Sequence, residues 1–212
     1  MTDEIHRDGR VETAGESLES ADAAVLMLHG RGATPGSVLA LSREFDASGV
    51  AYLAPAAANR TWYPNPFTAP IESNQPHLDS ALATVGDRIA AVADAGVPAE
   101  RTLMLGFSQG ACLASEFVAR NPRRYGGLAA LSGGLIGPDV SASEYDGDLD
   151  GTPAFVGCSD VDPHIPVERV EATSAILEGL GADVTERIYE GMGHTINAEE
   201  VSFVAGMVQD LV

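Results

Sequence analysis

The pentapeptide Gly106-Phe107-Ser108-Gln109-Gly110 follows the apolar run Arg101-Thr102-Leu103-Met104-Leu105. It opens a second run, Ala111-Cys112-Leu113-Ala114-Ser115-Glu116-Phe117, with helical rather than strand character. A Gly-x-Ser-x-Gly at a strand-to-helix junction forces its serine into a strained backbone conformation. The flanking glycines are needed because strand and helix approach too closely there for a side chain. Ser108 is then expected to stand clear of the strand end as a nucleophile. In a chain with 23 glycines the pentapeptide could arise by chance. The reading therefore rests on whether acid, base and oxyanion donors accompany it in the order the chemistry uses.

The companions are present. His194, in Glu190-Gly191-Met192-Gly193-His194-Thr195, follows the strand-like run Val184–Tyr189, and its glycine neighbours let a loop bring a general base to the serine. Between serine and histidine, Gly157-Cys158-Ser159-Asp160-Val161-Asp162-Pro163-His164-Ile165-Pro166 begins at the end of Pro153-Ala154-Phe155-Val156 and offers two acids. Asp162 precedes Pro163 and stands four residues before Pro166, which suits the first turn of the next helix, so Asp162 rather than Asp160 is expected to orient His194. Near the start, Leu28-His29-Gly30-Arg31-Gly32-Ala33 has the form of an oxyanion loop, with the Arg31 and Gln109 amides as donors. The Gly-Arg-Gly lacks the Lys-Ser/Thr of a phosphate loop and the third glycine of a dinucleotide loop. His29 reads as a loop brace, since His194 already fills the role of base.

Taken together, Leu28–Gly32, Gly106–Ala111, Leu131-Ser132-Gly133-Gly134, Asp160–Pro166 and Gly193-His194 resemble, in order and spacing, the phospholipase/carboxylesterase branch of the α/β-hydrolases, which includes acyl-protein thioesterases. The resemblance runs from Ala24 onward. It implies Ser108 as nucleophile, Asp162 as acid, His194 as base and the Arg31 and Gln109 amides as oxyanion hole. The reading is then hydrolysis of carboxylic esters or thioesters through an acyl-enzyme, which requires no cofactor, and no Cys/His pair has the spacing of metal ligands. Where the family commonly has His-Gly ahead of its acid motif this chain has Cys158-Ser159, and Asn59 to Pro76 departs from the usual acyl-binding region. Both departures bear on the substrate rather than the chemistry. The alternatives are a dienelactone-hydrolase-like or hydroquinone-detoxifying enzyme, and a non-catalytic binding module on the same fold.

The rest of the chain fits this frame. Strand-like runs near 24–28, 50–54, 102–106, 127–132, 153–157 and 184–189 alternate with helix-like runs near 35–48, 77–95, 109–120, 166–180 and 197–211. That alternation predicts an α/β-hydrolase fold: a mostly parallel central sheet with helices on both faces, no large cap domain, and one domain over 1–212. Residues 1–20 are expected to form an edge hairpin or to be partly disordered, and Asp139 to Gly151 a long exposed loop. Asn59 to Pro70 carries the only Trp and three prolines. Trp62, Tyr63 and Phe67 are expected to wall the substrate pocket rigidly and to favour short to medium acyl groups, the alternative being an aromatic cluster in the core; Leu135 and Ile136 read equally as the opposite wall or as ordinary packing.

With 31 acidic residues against 12 arginines and no lysine, the formal net charge is −19. Such a surface repels nucleic acid and anionic membranes, and acidity without lysine resembles halophilic composition. The sequence has no apolar stretch near membrane-spanning length and no signal peptide, so a cytoplasmic protein is expected, without membrane anchoring. Its partner should be a small-molecule ester or thioester, with a homodimer open to it. Cys112 and Cys158 are expected to be buried and unpaired.

Overall fold

The computed structural model describes residues 5–212. One sheet contains β1 (Val11–Gly15), β2 (Ala23–Leu28), β3 (Val50–Pro55), β4 (Thr102–Phe107), β5 (Gly127–Leu131), β6 (Pro153–Ser159) and β7 (Asp183–Tyr189), in the spatial order β1-β3-β2-β4-β5-β6-β7. From β3 to β7 every neighbouring pair is parallel, so all their carboxyl ends lie along one edge. The helices are α1 (Pro35–Leu39), α2 (His77–Asp94), α3 (Gln109–Arg120), α4 (Val167–Gly179) and α5 (Ala198–Gln209).

Continuous apolar runs such as Ala23–Leu28 are what a parallel strand covered on both faces requires, and all six of these residues are buried. Alternate side chains feed two cores. Leu26, Met104, Leu128 and Val156 pack with Val85 of α2, Leu113 of α3 and Val170 of α4. Val25, Leu103, Ala129 and Phe155 pack with Val38 of α1 and Val204 and Val208 of α5. Each Leu, Val or Phe so buried contributes about 1.5–3 kcal/mol, which makes the sheet a firm platform for the loops at its edge.

Three expectations change. The N-terminal hairpin is instead a single edge strand, β1, paired antiparallel with β3 from Val11 opposite Pro55 to Gly15 opposite Ala51; residues 1–4 lie outside the described residues. The run 35–48 is helical only to Leu39, continues as a 3-10 turn over Ala40–Glu44, and ends where Phe45 turns into the core against Tyr52 and Asp46 takes φ 42°. The 139–151 loop is anchored as well as exposed, through buried Leu149 and a bond from the Tyr145 hydroxyl to Glu116 at 3.1 Å. Among the described residues no helix is long and apolar enough to cross a membrane.

Candidate active site

Ser108 caps α3 directly after β4 with φ 56° and ψ −120°, the left-handed strain expected of an elbow. The glycines are sterically obligatory: a Cβ at Gly106 would strike the Gly110 backbone, and one at Gly110 would strike the Leu28 carbonyl of the neighbouring strand. The strain is sustained by surrounding order, since the Ser108 amide donates to the Leu131 carbonyl at 2.9 Å and its carbonyl accepts from Cys112 at 3.0 Å.

Two loops at the same sheet edge complete the cluster. His194, between β7 and α5, places Nε2 2.9 Å from Ser108 Oγ and Nδ1 2.7 Å from Asp162 Oδ2. Because the carboxylate can only accept, the imidazole proton sits on Nδ1 and Nε2 is left to accept from the serine hydroxyl. The Asp162 side chain is fully buried, and its Oδ1 accepts from the amides of His164 at 2.8 Å and Ile165 at 3.1 Å. Burial pushes this carboxyl up, but the His194 bond and the two amides outweigh it and hold it below the ordinary value. Asp160 is exposed and does something else: its Oδ1 accepts from the Gly191 amide at 2.7 Å.

The brace between the acid loop and the histidine loop has no counterpart among the sequence expectations. Ser159, buried at the end of β6, accepts from the Gly193 amide at 2.9 Å and the Val161 amide at 3.2 Å through one hydroxyl. Cys158 lies beneath with Sγ 3.8 Å from Asp162 Oδ2. Burial and the adjacent carboxylate push its thiol up to about 12, so it stays protonated. The only hint in the sequence was the Cys158-Ser159 pair standing where the family commonly has His-Gly. Both cysteines are free and buried, as expected.

His29 braces its loop: Nε2 accepts from the Ala57 amide at 3.2 Å, which leaves Nδ1 to donate to the Gly30 carbonyl at 2.8 Å. Burial holds its pKa low, keeping it neutral for this role. Gln109 opens α3, where the first amides have no intrahelical acceptor. Its side chain is committed elsewhere, accepting from the Trp62 amide at 2.9 Å and donating to the Tyr63 carbonyl at 2.8 Å.

Those bonds set the 59–70 segment in place and divide the expected pocket residues. A cavity of about 480 Å³ beside Ser108 is lined by Tyr63, Pro64, Pro66 and Phe67 from this segment, with Arg31, Gln109, Cys112, His164, Ile165 and His194. Trp62 is not a wall. It is 0% exposed, its indole N–H donates to the His29 carbonyl at 2.9 Å, and its ring lies between His6 and His29 beneath the loop. Leu135 and Ile136 are buried away from this cavity as well. Gly133 must tuck against Ala111 and Cys112, where a Cβ would collide. Beyond that turn the Leu135 amide donates to Thr173 and the Ile136 amide to Glu116. The opposite wall is instead His164 and Ile165, from the acid loop. On the far side of His194 a second groove, of about 370 Å³, is lined by Ala33, Val38, Leu41, Phe107 and Ile196.

Residues 12–211 match the model of the family described as Phospholipase/Carboxylesterase. The crystal structure of a phospholipase/carboxylesterase from Dyadobacter fermentans superposes with a TM-score of 0.91 at 42% identity, covering 95% of this chain and 97% of that one. Acyl-protein thioesterase 1 of Saccharomyces cerevisiae is 31% identical over 134 residues, 62% of this chain and 57% of its own length. Carboxylesterase SOBER1 of Arabidopsis thaliana is 23% identical over 87% of this chain and 89% of its own. The chain spans little more than half the length of the acyl-protein thioesterases it matches.

Proposed function

The chain belongs to the phospholipase/carboxylesterase family, and from that premise we propose that it is a serine hydrolase of carboxylic esters or thioesters working through an acyl-enzyme. The observation that carries this reading is the unbroken hydrogen-bond chain from Ser108 through His194 to Asp162, at 2.9 and 2.7 Å, on a strained elbow. Ser108 Oγ attacks the carbonyl carbon while its proton passes to His194 Nε2. The Gln109 and Arg31 amides receive the oxyanion, and collapse breaks the bond to the leaving alcohol or thiol, which takes the proton from His194. Water, deprotonated by the same imidazole, then attacks the acyl-enzyme and frees the acid and Ser108. Asp162 holds the Nδ1 tautomer and stabilises the imidazolium.

The acyl group belongs in the 480 Å³ cavity, because Gln109 and Ser108 both line it. The groove of Val38, Leu41, Phe107 and Ile196 suits the leaving group beside His194. A cavity with proline-stiffened walls gains roughly fourfold in kcat/KM per methylene, from about 0.8 kcal/mol each, until it is full. Across p-nitrophenyl esters from acetyl to palmitoyl, kcat/KM should therefore climb through short chains and level or fall beyond medium length. Phe67→Ala should move the optimum to longer chains. Trp62→Ala should lower stability by about 3–5 kcal/mol, because it empties a core site. Efficiency rising without a break to palmitoyl would overturn the short-to-medium preference and favour the acyl-protein role named for the relatives.

We also propose that the protein is adapted to dense salt and to the cytoplasm. Of the arginines, only Arg7, Arg10, Arg120 and Arg187 pair with carboxylates among the described residues, so most acids there have no arginine partner to offset their mutual repulsion. Screening that repulsion and salting out apolar surface should each add stability, and two free cysteines suit a reducing compartment. Between about 0.1 and 3 M KCl the Tm should rise by about 10 °C, the equivalent of a few kcal/mol. A flat profile would remove the salt adaptation and leave the catalytic reading intact.

A further inference from the structure

The cavity beside Ser108 differs in charge from the rest of the molecule. Asp and Glu number 31 in the chain, yet among the described residues no acidic side chain lines this cavity. The neighbouring groove beyond Pro70 is mostly acidic, with Glu72, Glu116, Asp139 and Glu144 on its walls against one cation, Arg120, which Glu116 pairs. The one fixed charge on the Ser108 cavity is Arg31, and no carboxylate pairs with it among the described residues. Its guanidinium is held by backbone carbonyls instead, donating to Pro64 at 2.7 Å and Asn65 at 2.7 Å, with the Tyr63 ring centroid 6.0 Å away. Carbonyl acceptors fix the orientation of a guanidinium without cancelling its charge, and two bonds leave further N–H groups to donate. A preoriented cation without a counter-ion, at the rim of an acid-free cavity, is complementary to an anion.

We propose that the acyl group taken by this site carries a carboxylate at its far end, so that the substrates are monoesters of short dicarboxylic acids with the distal carboxylate on Arg31. This rests on the acyl-enzyme reading above. The acyl side is indicated because Ser108 and Gln109 share this cavity with Arg31, whereas the groove on the other side of His194 is apolar.

The test compares isosteric pairs by pH-stat titration at one stabilising salt concentration. The acyl pair is monoethyl succinate against ethyl isohexanoate; the alcohol pair is acetoxyacetate against isobutyl acetate. In the wild type, kcat/KM for the anionic member of the acyl pair should exceed that of its neutral partner by about tenfold or more, the value of a charge-assisted hydrogen bond. Arg31→Gln and Arg31→Met should each cut that ratio about tenfold, and Arg31→Lys should keep part of it. The ratio cancels any effect of these variants on the oxyanion amide. A wild-type acyl ratio at or below one, a ratio unmoved by Arg31→Gln, or a preference larger in the alcohol pair would overturn the proposal. Neutral-ester hydrolysis that still depends on Ser108 would, in each of those cases, leave the hydrolase reading standing. Loss of Ser108 dependence for both members of a pair would overturn both.

Discussion

Ser108→Ala and His194→Ala are each expected to lower kcat for a p-nitrophenyl ester by at least about 10⁴-fold, and the double variant to be little worse than either. The near-equality follows from geometry: with Oγ and Nε2 2.9 Å apart, the imidazole has no function without a hydroxyl to deprotonate, and the hydroxyl is a poor nucleophile without the imidazole. Residual turnover would come from the oxyanion amides and binding alone. Losses that multiply across the two sites, measured in a four-member cycle with folding checked by circular dichroism, would mean that the two side chains act in separate steps.

Asp162→Asn should cost about 10³–10⁴-fold in kcat, and Asp160→Asn less than about tenfold. An asparagine at 162 can present its amide N–H to His194 Nδ1, which drives the ring proton to Nε2 and removes the acceptor that Ser108 needs. At 160 the substituted side chain keeps a carbonyl oxygen able to accept from Gly191, the bond the native carboxylate makes at 2.7 Å. The pH dependence of stability adds an independent readout. The folded Asp162 carboxyl lies below its ordinary 3.8. Its contribution to stability is therefore present above that pH and lost as pH falls through the lower folded value. Wild type and Asp162→Asn should differ in stability near neutral pH and converge in acid. A larger kinetic loss at 160 than at 162 would transfer the orienting role two residues upstream.

What could be read from the sequence, and what could not, divides along a physical line. The elbow, Asp162 and His194 were legible because each sits at the end of an apolar run, and parallel strands bring all such ends to one edge. The span of α3 was legible to the residue, since Gly106-Phe107-Ser108 fixes where the strand must stop. That Asp162 rather than Asp160 would meet His194 was legible from its position ahead of Pro163. Side-chain direction within loops was not. Trp62 and Tyr63 are adjacent in one proline-rich segment and both buried in one core, yet only Tyr63 also borders the cavity, because the Trp62 indole N–H found the His29 carbonyl. For Leu135 and Ile136 the sequence left pocket wall and ordinary packing equally open, and the tight turn at Gly133 hands them to α3 and α4. The Ser159 brace joins amides two and 34 residues away, and a hydroxyl acting at such separation leaves no periodic trace. The early end of α1 was hidden because the run 35–48 keeps its helical pattern in sequence, whereas Phe45 turns inward to pack on Tyr52 of the next strand, β3.

Everything proposed for the site turns on Ser108 being the one serine activated to form a covalent acyl-enzyme. Incubation with a fluorophosphonate, followed by intact mass measurement and peptide mapping, tests it without any assumption about the natural substrate. One adduct per chain is expected, on Ser108, with loss of esterase activity in parallel, and labelling slowed by orders of magnitude in His194→Ala. An unlabelled chain that hydrolyses esters, or an adduct mapped to any other residue, would contradict it.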